Sequence, residues 1–379
     1  MKRLSFKERW YLYSDDADLA ETLLIRDLNC ASSPAERAWL LKHWPSLGGF
    51  DCVSEWLAER EPTLLNYVSG RAALLRVFQH RGVANPWLAL VQQDLRTNFL
   101  RFCQETYQDG GPLQLWLSGG LGDQLECLAQ LCDPILRSWW SRLHLFLPVQ
   151  GQAALEPFLR THWPVNAPRY SFSPGNPGGN DQQRWLTQMG WSCLLANAGL
   201  KPTAQTVHSF TKDSSCVPTL LFCWRSKVDP NDRHWAHLRS LSFVQIARVY
   251  AQLVPWATSL GFRLVDITYY RTEEQRNLER HYPTLDLAMS RIASLNDTAR
   301  LARECVSVVT VDTALVHLAR WVGSTTFLLL HRHPDERWRE HLRGPSQDHR
   351  VHVLRQNSYN QWDDVIINMI RLIKNRDWR

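Results

Sequence analysis

The residues best suited to chemistry follow an apolar run near the carboxyl end of the chain. Residues 306–320 read Val-Ser-Val-Val-Thr-Val-Asp-Thr-Ala-Leu-Val-His-Leu-Ala-Arg, a β-branched segment that passes directly into a helical pattern. This pattern predicts a buried strand followed by a helix that Asp312 caps. The backbone N–H groups and positive dipole at such a helix start favour a phosphate. Many α/β proteins have a capped helix here and bind nothing, so this segment alone leaves both interpretations open.

The flanking sequence predicts a βαβ unit around this segment. Residues 294–305 predict a capped helix, residues 322–330 predict a second apolar strand, and residues 331–338 are polar. Open α/β sheets bind ligands in loops at the carboxyl ends of their strands. We therefore expect any ligand to lie where the strand of residues 306–311 ends.

A second motif with chemical potential lies far away in the sequence. Residues 113–117 alternate as a short strand does, and the next six residues, 118–123, read Ser-Gly-Gly-Leu-Gly-Asp. Glycines allow a tight turn and a close approach of the backbone to a ligand, with Asp123 at the mouth of the cleft. Their spacing does not fit Gly-x-Gly-x-x-Gly, so we do not predict a nicotinamide enzyme.

Four motifs of this sequence, in the order in which they occur along the chain, resemble glycosyltransferase family 9, including members that carry tetratricopeptide repeats. Residues 294–338 are similar to the nucleotide-sugar-binding half of that family, and residues 118–123 to its Gly-Leu-Gly-Asp turn. Residues 218–247 are similar to its strand with a following basic loop and an Arg-Ser motif. Residues 353–373 are similar to its closing Arg-Gln, Trp and helix.

The resemblance implies an α/β fold of the GT-B type, with two Rossmann-like domains facing a cleft. We expect an α-helical domain at 1–108, an acceptor domain at 109–215 and a nucleotide-sugar-binding domain at 216–379. The helical spacing of residues 1–108 shows no clean repeat period, so degenerate helical repeats stay an open alternative. The strands predicted from apolar patterning are 113–117, 144–149, 218–224, 262–267, 306–311 and 325–330, and the closing helix is 362–374, packed back across both domains.

The resemblance also implies a reaction: transfer of a sugar from a nucleotide-diphosphate sugar to a hydroxyl of a glycan, a lipid-linked acceptor or a protein. We expect inversion at the anomeric carbon, no metal and no cofactor beyond the nucleotide sugar, with Asp123 as general base. The residues expected at the donor and its phosphates are Gly120, Gly122, Arg225, Lys227, Asp312, Thr313, Ala314 and His317. The acidic pair Glu273 and Glu274 corresponds to a region in which related transferases use an acid to hold the ribose hydroxyls. This match is weaker than the other matches. Arg225 and Lys227 are equally interpretable as solvated loop charges, and His317 as a packed ring.

Composition agrees with a soluble protein of two or three domains. The chain has 379 residues, 44% of them hydrophobic and 21% charged, and no apolar run near the ~20 residues of a membrane span. The net charge of +6 suits an anionic nucleotide sugar or the acidic inner face of a membrane, where lipid-linked acceptors lie. The amino terminus lacks the apolar core of a secretion signal. We therefore expect a cytoplasmic protein able to contact the inner membrane peripherally.

Other partners are disfavoured by residue spacing. The nine cysteines form no Cys-x-x-Cys pair, which indicates reduced thiols in place of disulfides or a zinc site. Two histidine pairs, His234 with His237 and His331 with His333, lack a third ligand nearby. No nucleic-acid-binding module is recognisable. We therefore predict neither a bound metal nor a nucleic-acid partner.

Departures from the family pattern leave other functions open. Arg320 and Trp321 stand where the family has small residues, and Glu336 adds a negative charge near the expected phosphate pocket. The main alternative is a non-catalytic GT-B-fold protein that uses its helical domain to recognise a partner. Another GT-B enzyme, such as an epimerase or a fucosyl-type transferase, shares only the glycine turn with this sequence.

Overall fold

The structure is a computed structural model, and it describes part of the chain. The described residues are 26, 27, 30, 113–117, 120–174, 185–187, 217–226, 239–331, 338, 350–357 and 361–376. Residues 26, 27 and 30 are helical. The rest of the expected α-helical domain, 1–108, lies outside the described residues, and so do the expected domain boundaries near 108 and 215. The three-domain division therefore stays a prediction.

Strands and helices alternate along the described chain. The strands are β1 (Leu113–Trp116), β2 (Leu143–Pro148), β3 (Arg169–Ser173), β4 (Trp185–Thr187), β5 (Thr219–Cys223), β6 (Arg263–Asp266), β7 (Leu285–Leu287), β8 (Ser307–Val311), β9 (Thr326–Leu330) and β10 (Val351–Arg355). The helices are α1 (Leu121–Leu131), α2 (Gln152–His162), α3 (Phe243–Leu260), α4 (Thr272–His281), α5 (Leu295–Glu304), α6 (Ala314–Trp321) and α7 (Asp363–Asn375). The predicted α/β class and the six predicted strands are confirmed.

The chain divides into two compact units. One comprises Met1–Leu115, Gly178–Lys201 and His333–Arg337, and the other comprises Trp116–Pro177, Pro202–Arg332 and Trp338–Arg379. Within the first unit the structure describes most of β1 and its neighbour β4. The site described below belongs entirely to the second unit.

The larger sheet of the second unit is parallel, with the strand order β10-β9-β8-β5-β6-β7. All five residues of β8 and of β9 are buried. Central strands of a parallel sheet are covered on both faces, which explains why these strands show no alternation of buried and exposed residues. Val309 pairs with Phe222 of β5 on one side and with Phe327 of β9 on the other. The sheet thus fixes the register of the strand ends that carry the candidate site residues.

Helices α3 and α7 cover one face of this sheet. Both are amphipathic, and α3 begins with a capping box in which Ser242 and Gln245 bond each other's backbone N–H groups. Apolar residues of α7, including Met369 and Ile370, join one core cluster with β5, β8, β9 and α3. A helix at the predicted position is therefore confirmed as α7, and its contacts within the described chain include α3 and β10. Its expected packing across both domains stays a prediction.

The two helices that follow strands of the smaller sheet pack against two helices of the larger sheet. Strands β2 and β3 pair in parallel, and the N–H of Leu117, just after β1, donates to the carbonyl of Phe146 at 2.9 Å. Helix α1 follows β1 and packs against α6, while α2 follows β2 and packs against α5. This packing brings the glycine turn before α1 to the carboxyl edge of the larger sheet.

Candidate active site

The larger sheet has a topological switch point between β5 and β8. The chain runs from β5 through β6 to β7 in one direction, and then returns to place β8 on the other side of β5. The two strands pair up to Cys223 and Thr310, so their carboxyl ends lie side by side. In open α/β sheets a crevice forms at this position and binds the ligand. The residues that follow β5 and β8, beginning with Trp224 and Asp312, therefore border the candidate site.

Helix α6 begins at this edge, one residue later than the sequence pattern predicts. The cap is Thr313, which has an extended backbone and accepts a hydrogen bond from the N–H of Leu315 at 3.3 Å. The predicted cap, Asp312, is 6% exposed, and its carboxylate lies 3.7 Å from a guanidinium nitrogen of Arg239. The N–H groups in the first turn of α6 still border the crevice. Asp312 does not cap the helix and instead forms an ion pair with Arg239.

The glycine turn lies directly against this helix. A Cβ added to Gly122 would lie 3.1 Å from Cδ2 of His317 and 3.6 Å from the Cα of Ala314. Only a residue without a side chain allows this approach of α1 to α6 without displacement. Gly122 and His317 are almost two hundred positions apart in sequence and were predicted as parts of two separate motifs. The structure places them next to each other.

Asp123 lies in the first turn of α1. Its Oδ2 accepts a hydrogen bond at 2.9 Å from the N–H of Gly120, the residue that precedes the helix. A carboxylate in this position satisfies an N–H at the start of the helix and favours the helix dipole. Asp123 therefore has a capping role in addition to the predicted chemical one.

Arg225, at the end of β5, is held by several groups. Its two terminal nitrogens donate to both carboxylate oxygens of Glu274 at 2.7 and 3.0 Å, and its Nε donates to the carbonyl of Leu241 at 3.3 Å. Its guanidinium also lies 5.5 Å from the ring centroid of Tyr270. The hydrogen bonds from Arg225 are the main reason that the pKa of Glu274 is lowered. Two residues predicted for different parts of the donor are therefore paired with each other.

A buried polar network supports the loop that follows β6. Asp266 is 1% exposed and accepts hydrogen bonds from the hydroxyls of Tyr250 at 2.6 Å and Tyr270 at 2.5 Å, and from the N–H of Thr268 at 2.7 Å. Burial raises the pKa of Asp266, and these hydrogen bonds oppose the rise. The indole N–H of Trp224 donates to Tyr250 at 2.7 Å. Since Tyr270 also faces Arg225, this network fixes the orientation of the guanidinium.

His317 lies within the first two turns of α6 and is 3% exposed. Its ring stacks on Trp338, with 5.6 Å between the centroids. Trp338 is fully buried and packs with residues of β9 and β10. This stacking fixes the ring beside Gly122, at the position where α1 meets α6.

Some polar residues at this edge were not predicted as site residues. His331 and Gln356 directly follow β9 and β10, and both are almost fully buried, at 3% and 1% exposure. Asp266 ends β6, and Arg239 pairs with Asp312. A polar residue that immediately follows an apolar strand was the available signal, because several parallel strands end at the same edge.

Two predicted site residues remain, Glu273 and Lys227. Glu273 lies in the first turn of α4 and is exposed, while Lys227 lies outside the described residues. Within the described part of the chain no group of three or more His, Cys, Asp or Glu side chains could hold a metal ion. No described helix is long and apolar enough to cross a bilayer.

Comparison with known proteins gives structural likenesses only. No family model and no curated protein matches the sequence. The chain is similar to the structure of E. coli ADP-heptose lps heptosyltransferase II, with 12% identity and a TM-score of 0.45 over 70% of this chain and 100% of that chain. It is also similar to a glycosyl transferase family 9 structure from Veillonella parvula DSM 2008, with 11% identity and a TM-score of 0.40 over 65% and 86%. The chain is also similar to the structure of E. coli heptosyltransferase WaaC with ADP-2-deoxy-2-fluoro heptose, with 11% identity and a TM-score of 0.38 over 68% of this chain and 99% of that chain. Likeness at this level does not assign an activity, so the function is argued from the residues.

Proposed function

We propose that this protein is a glycosyltransferase of the GT-B type, resembling family 9, that moves a sugar from a nucleotide-diphosphate sugar to an acceptor hydroxyl. One observation carries the proposal. The approach of Gly122 to His317 and Ala314 brings the glycine turn of the smaller sheet to the crevice between β5 and β8. A two-substrate transfer needs this kind of arrangement, because donor and acceptor must meet in one cleft.

In this proposal the donor diphosphate lies over the start of α6. The N–H groups near Thr313 and Ala314 and the dipole of α6 stabilise the charge that develops on the leaving nucleotide. Among the described residues, Arg225 uses three of its five N–H donors for Glu274 and Leu241, which leaves two for a phosphate oxygen. These groups, with Lys227, take the place of a metal ion.

Asp123 is the proposed general base. It takes the proton from the acceptor hydroxyl while the hydroxyl oxygen attacks the anomeric carbon, and the bond to the nucleotide phosphate breaks on the opposite face. The configuration at the anomeric carbon is therefore inverted. The acceptor is a glycan, a lipid-linked glycan or a protein hydroxyl.

Nucleotide binding is the first test. The purified chain is melted with each of several nucleoside diphosphates and nucleotide sugars. At about 100 times its Kd, a nucleotide adds about 2.7 kcal/mol of stability, which raises the Tm by several degrees. The shift is expected to disappear in Lys227→Ala and to persist in Asp123→Asn. Lys374→Ala, which changes a lysine in the last turn of α7, is the matched control and keeps the shift.

Transfer is the second test. With the stabilising nucleotide sugar and a mixture of acceptors, release of nucleoside diphosphate is expected from the unmodified protein. Release from Asp123→Asn should fall by about 100-fold or more, since general base catalysis contributes at least this much. Unaltered release from Asp123→Asn would disprove the base assignment. If a cooperatively melting protein responds to no nucleotide, the non-catalytic alternative is favoured.

A further inference from the structure

The loop that follows β6 restrains Arg225 by a contact that differs from its hydrogen bonds. Glu274 and Leu241 accept hydrogen bonds from the guanidinium, whose N–H groups lie in its plane. The ring of Tyr270 lies against the same guanidinium, with 5.5 Å between its centroid and Cζ of Arg225. This distance is inside the ~6 Å at which a ring attracts a cation. Tyr270 therefore restrains Arg225 without using any of its N–H donors.

Tyr270 is itself fixed by the buried carboxylate of Asp266. Its hydroxyl donates to Oδ2 of Asp266 at 2.5 Å, and the N–H of Thr268 donates to Oδ1 at 2.7 Å. Asp266 is 1% exposed, so the bond is shielded from water. A phenol that donates to a carboxylate gains negative charge, which strengthens the attraction of its ring for a cation. Asp266 thus acts on Arg225 through the ring of Tyr270.

The same loop fixes the backbone just before Arg225. The N–H of Trp224 donates to Oγ1 of Thr268 at 2.9 Å, and the carbonyl of Trp224 accepts from the N–H of Leu241 at 3.0 Å. The base of the Arg225 side chain is therefore held as well as its end. A long side chain held in this way loses little conformational freedom when a ligand binds.

We propose that Tyr270, anchored by Asp266, is a positioning residue of the donor site that holds Arg225 in the orientation in which it binds the donor diphosphate. The inference rests on the proposed function, because it requires that the remaining N–H groups of Arg225 bind phosphate. When Tyr270 is released from Asp266, each bound nucleotide must order Arg225 again. Ordering one long side chain lowers the affinity by roughly twofold to tenfold.

Tyr250 provides a matched control for Tyr270. Its hydroxyl donates to the same Oδ2 of Asp266 at 2.6 Å, so removal of either hydroxyl takes one donor from one buried oxygen. The ring of Tyr250 packs in the core against Phe222 and Trp224. Tyr250→Phe also removes the acceptor of the Trp224 indole N–H, so it should destabilise the protein at least as much as Tyr270→Phe. The two changes differ in the contact with Arg225.

Isothermal titration of the full chain with ADP, GDP, UDP and CDP identifies the diphosphate that binds most tightly. For this diphosphate, Tyr270→Phe should raise the Kd roughly twofold to tenfold, and Tyr270→Leu, which removes the ring, at least as much. Tyr250→Phe should lower the Tm but leave the Kd unchanged. The corresponding nucleoside, measured as a competitor, should keep its affinity in Tyr270→Phe, because Arg225 contacts only phosphate.

The outcomes separate this inference from the proposed function. An unchanged Kd in Tyr270→Phe would overturn the positioning role, while weaker binding by Arg225→Gln would leave the donor site in place. Equal weakening of diphosphate and nucleoside would also overturn it, since that result indicates a general loss of structure. If no diphosphate binds the unmodified chain, the proposed function fails, and this inference fails with it. If Tyr250→Phe melts below the assay temperature, Tyr282→Phe replaces it, because that hydroxyl donates to the carbonyl of Ala247 at 3.0 Å.

Discussion

Replacing Gly122 by alanine tests the contact that brings the glycine turn to α6. The new Cβ would lie 3.1 Å from Cδ2 of His317, inside the roughly 3.5 to 4.0 Å of favourable carbon contacts. The ring cannot move aside easily, since it is 3% exposed and stacks on Trp338. Overpacking of this kind costs about 1 to 3 kcal/mol.

An opposing effect reduces the net loss. Gly122 is the second residue of α1, and alanine is favoured over glycine in a helix by up to about 1 kcal/mol. With the full helix preference subtracted, the expected net destabilisation is about 0 to 2 kcal/mol, a fall in Tm of up to roughly 5 °C. Thermal unfolding followed by circular dichroism measures it.

Two matched variants isolate the contact. In Gly120→Ala the one contact of the new Cβ among the described residues is with Asp123 Oδ2 at 3.5 Å, an ordinary distance, so the Tm should fall less than in Gly122→Ala. In a His317→Ala background the overpacking is removed, and Gly122→Ala should become neutral or stabilising. Equal destabilisation by Gly122→Ala in both backgrounds would refute the contact and remove the main support for the proposed cleft.

Three other variants test the packing around the site. Glu274→Gln should cost about 1 kcal/mol at neutral pH. Because Arg225 lowers the pKa of Glu274 below its usual 4.5, the stabilisation is complete above that pH and is lost as the pH falls through the lowered value. The Tm difference from the unmodified protein should therefore close on acidification, and a constant difference would contradict the pair. Tyr250→Phe should cost about 2 to 4 kcal/mol in urea unfolding, since Trp224 loses its acceptor and buried Asp266 loses a donor; a loss below about 1 kcal/mol would contradict this. Trp321→Phe should cost much less than the about 3 to 5 kcal/mol of Trp321→Ala, since the buried indole N–H has no partner among the described residues; equal losses in thermal melts would contradict it.

The local elements of this fold were predictable because their signals are local. Strands β5, β8 and β9 are rich in apolar and β-branched residues, and α7 has apolar residues at helical spacing. Strands β3, β4, β7 and β10 were not predicted. β3 has no fully buried residue, β4 and β7 have only three residues each, and β10 lies at the edge of its sheet. Strands with little buried surface carry little apolar pattern.

Pairings across the site could not be read from the sequence. Arg225 and Glu274 are 49 positions apart, and their pairing depends on β5 and β6 being neighbours, since Arg225 follows β5 and Glu274 lies in the helix after β6. The cap of α6 was misplaced by one residue for a related reason. Asp and Thr both cap helices well, so the sequence does not distinguish Asp312 from Thr313 as the cap. The difference comes from the tertiary ion pair of Asp312 with Arg239.

The charge balance of the site gives Glu274 two distinguishable roles. Arg225 faces Glu274 and Arg239 faces Asp312, so these four side chains together add no net positive charge at the crevice. If Glu274 serves only to orient Arg225, Glu274→Gln removes one negative charge beside the proposed diphosphate and should tighten nucleoside diphosphate binding. If Glu274 instead holds the ribose, as its position in the sequence first suggested, the same variant should weaken nucleoside diphosphate binding. Both outcomes require the pair to lie at the donor site, because a pair remote from the diphosphate would leave the affinity unchanged.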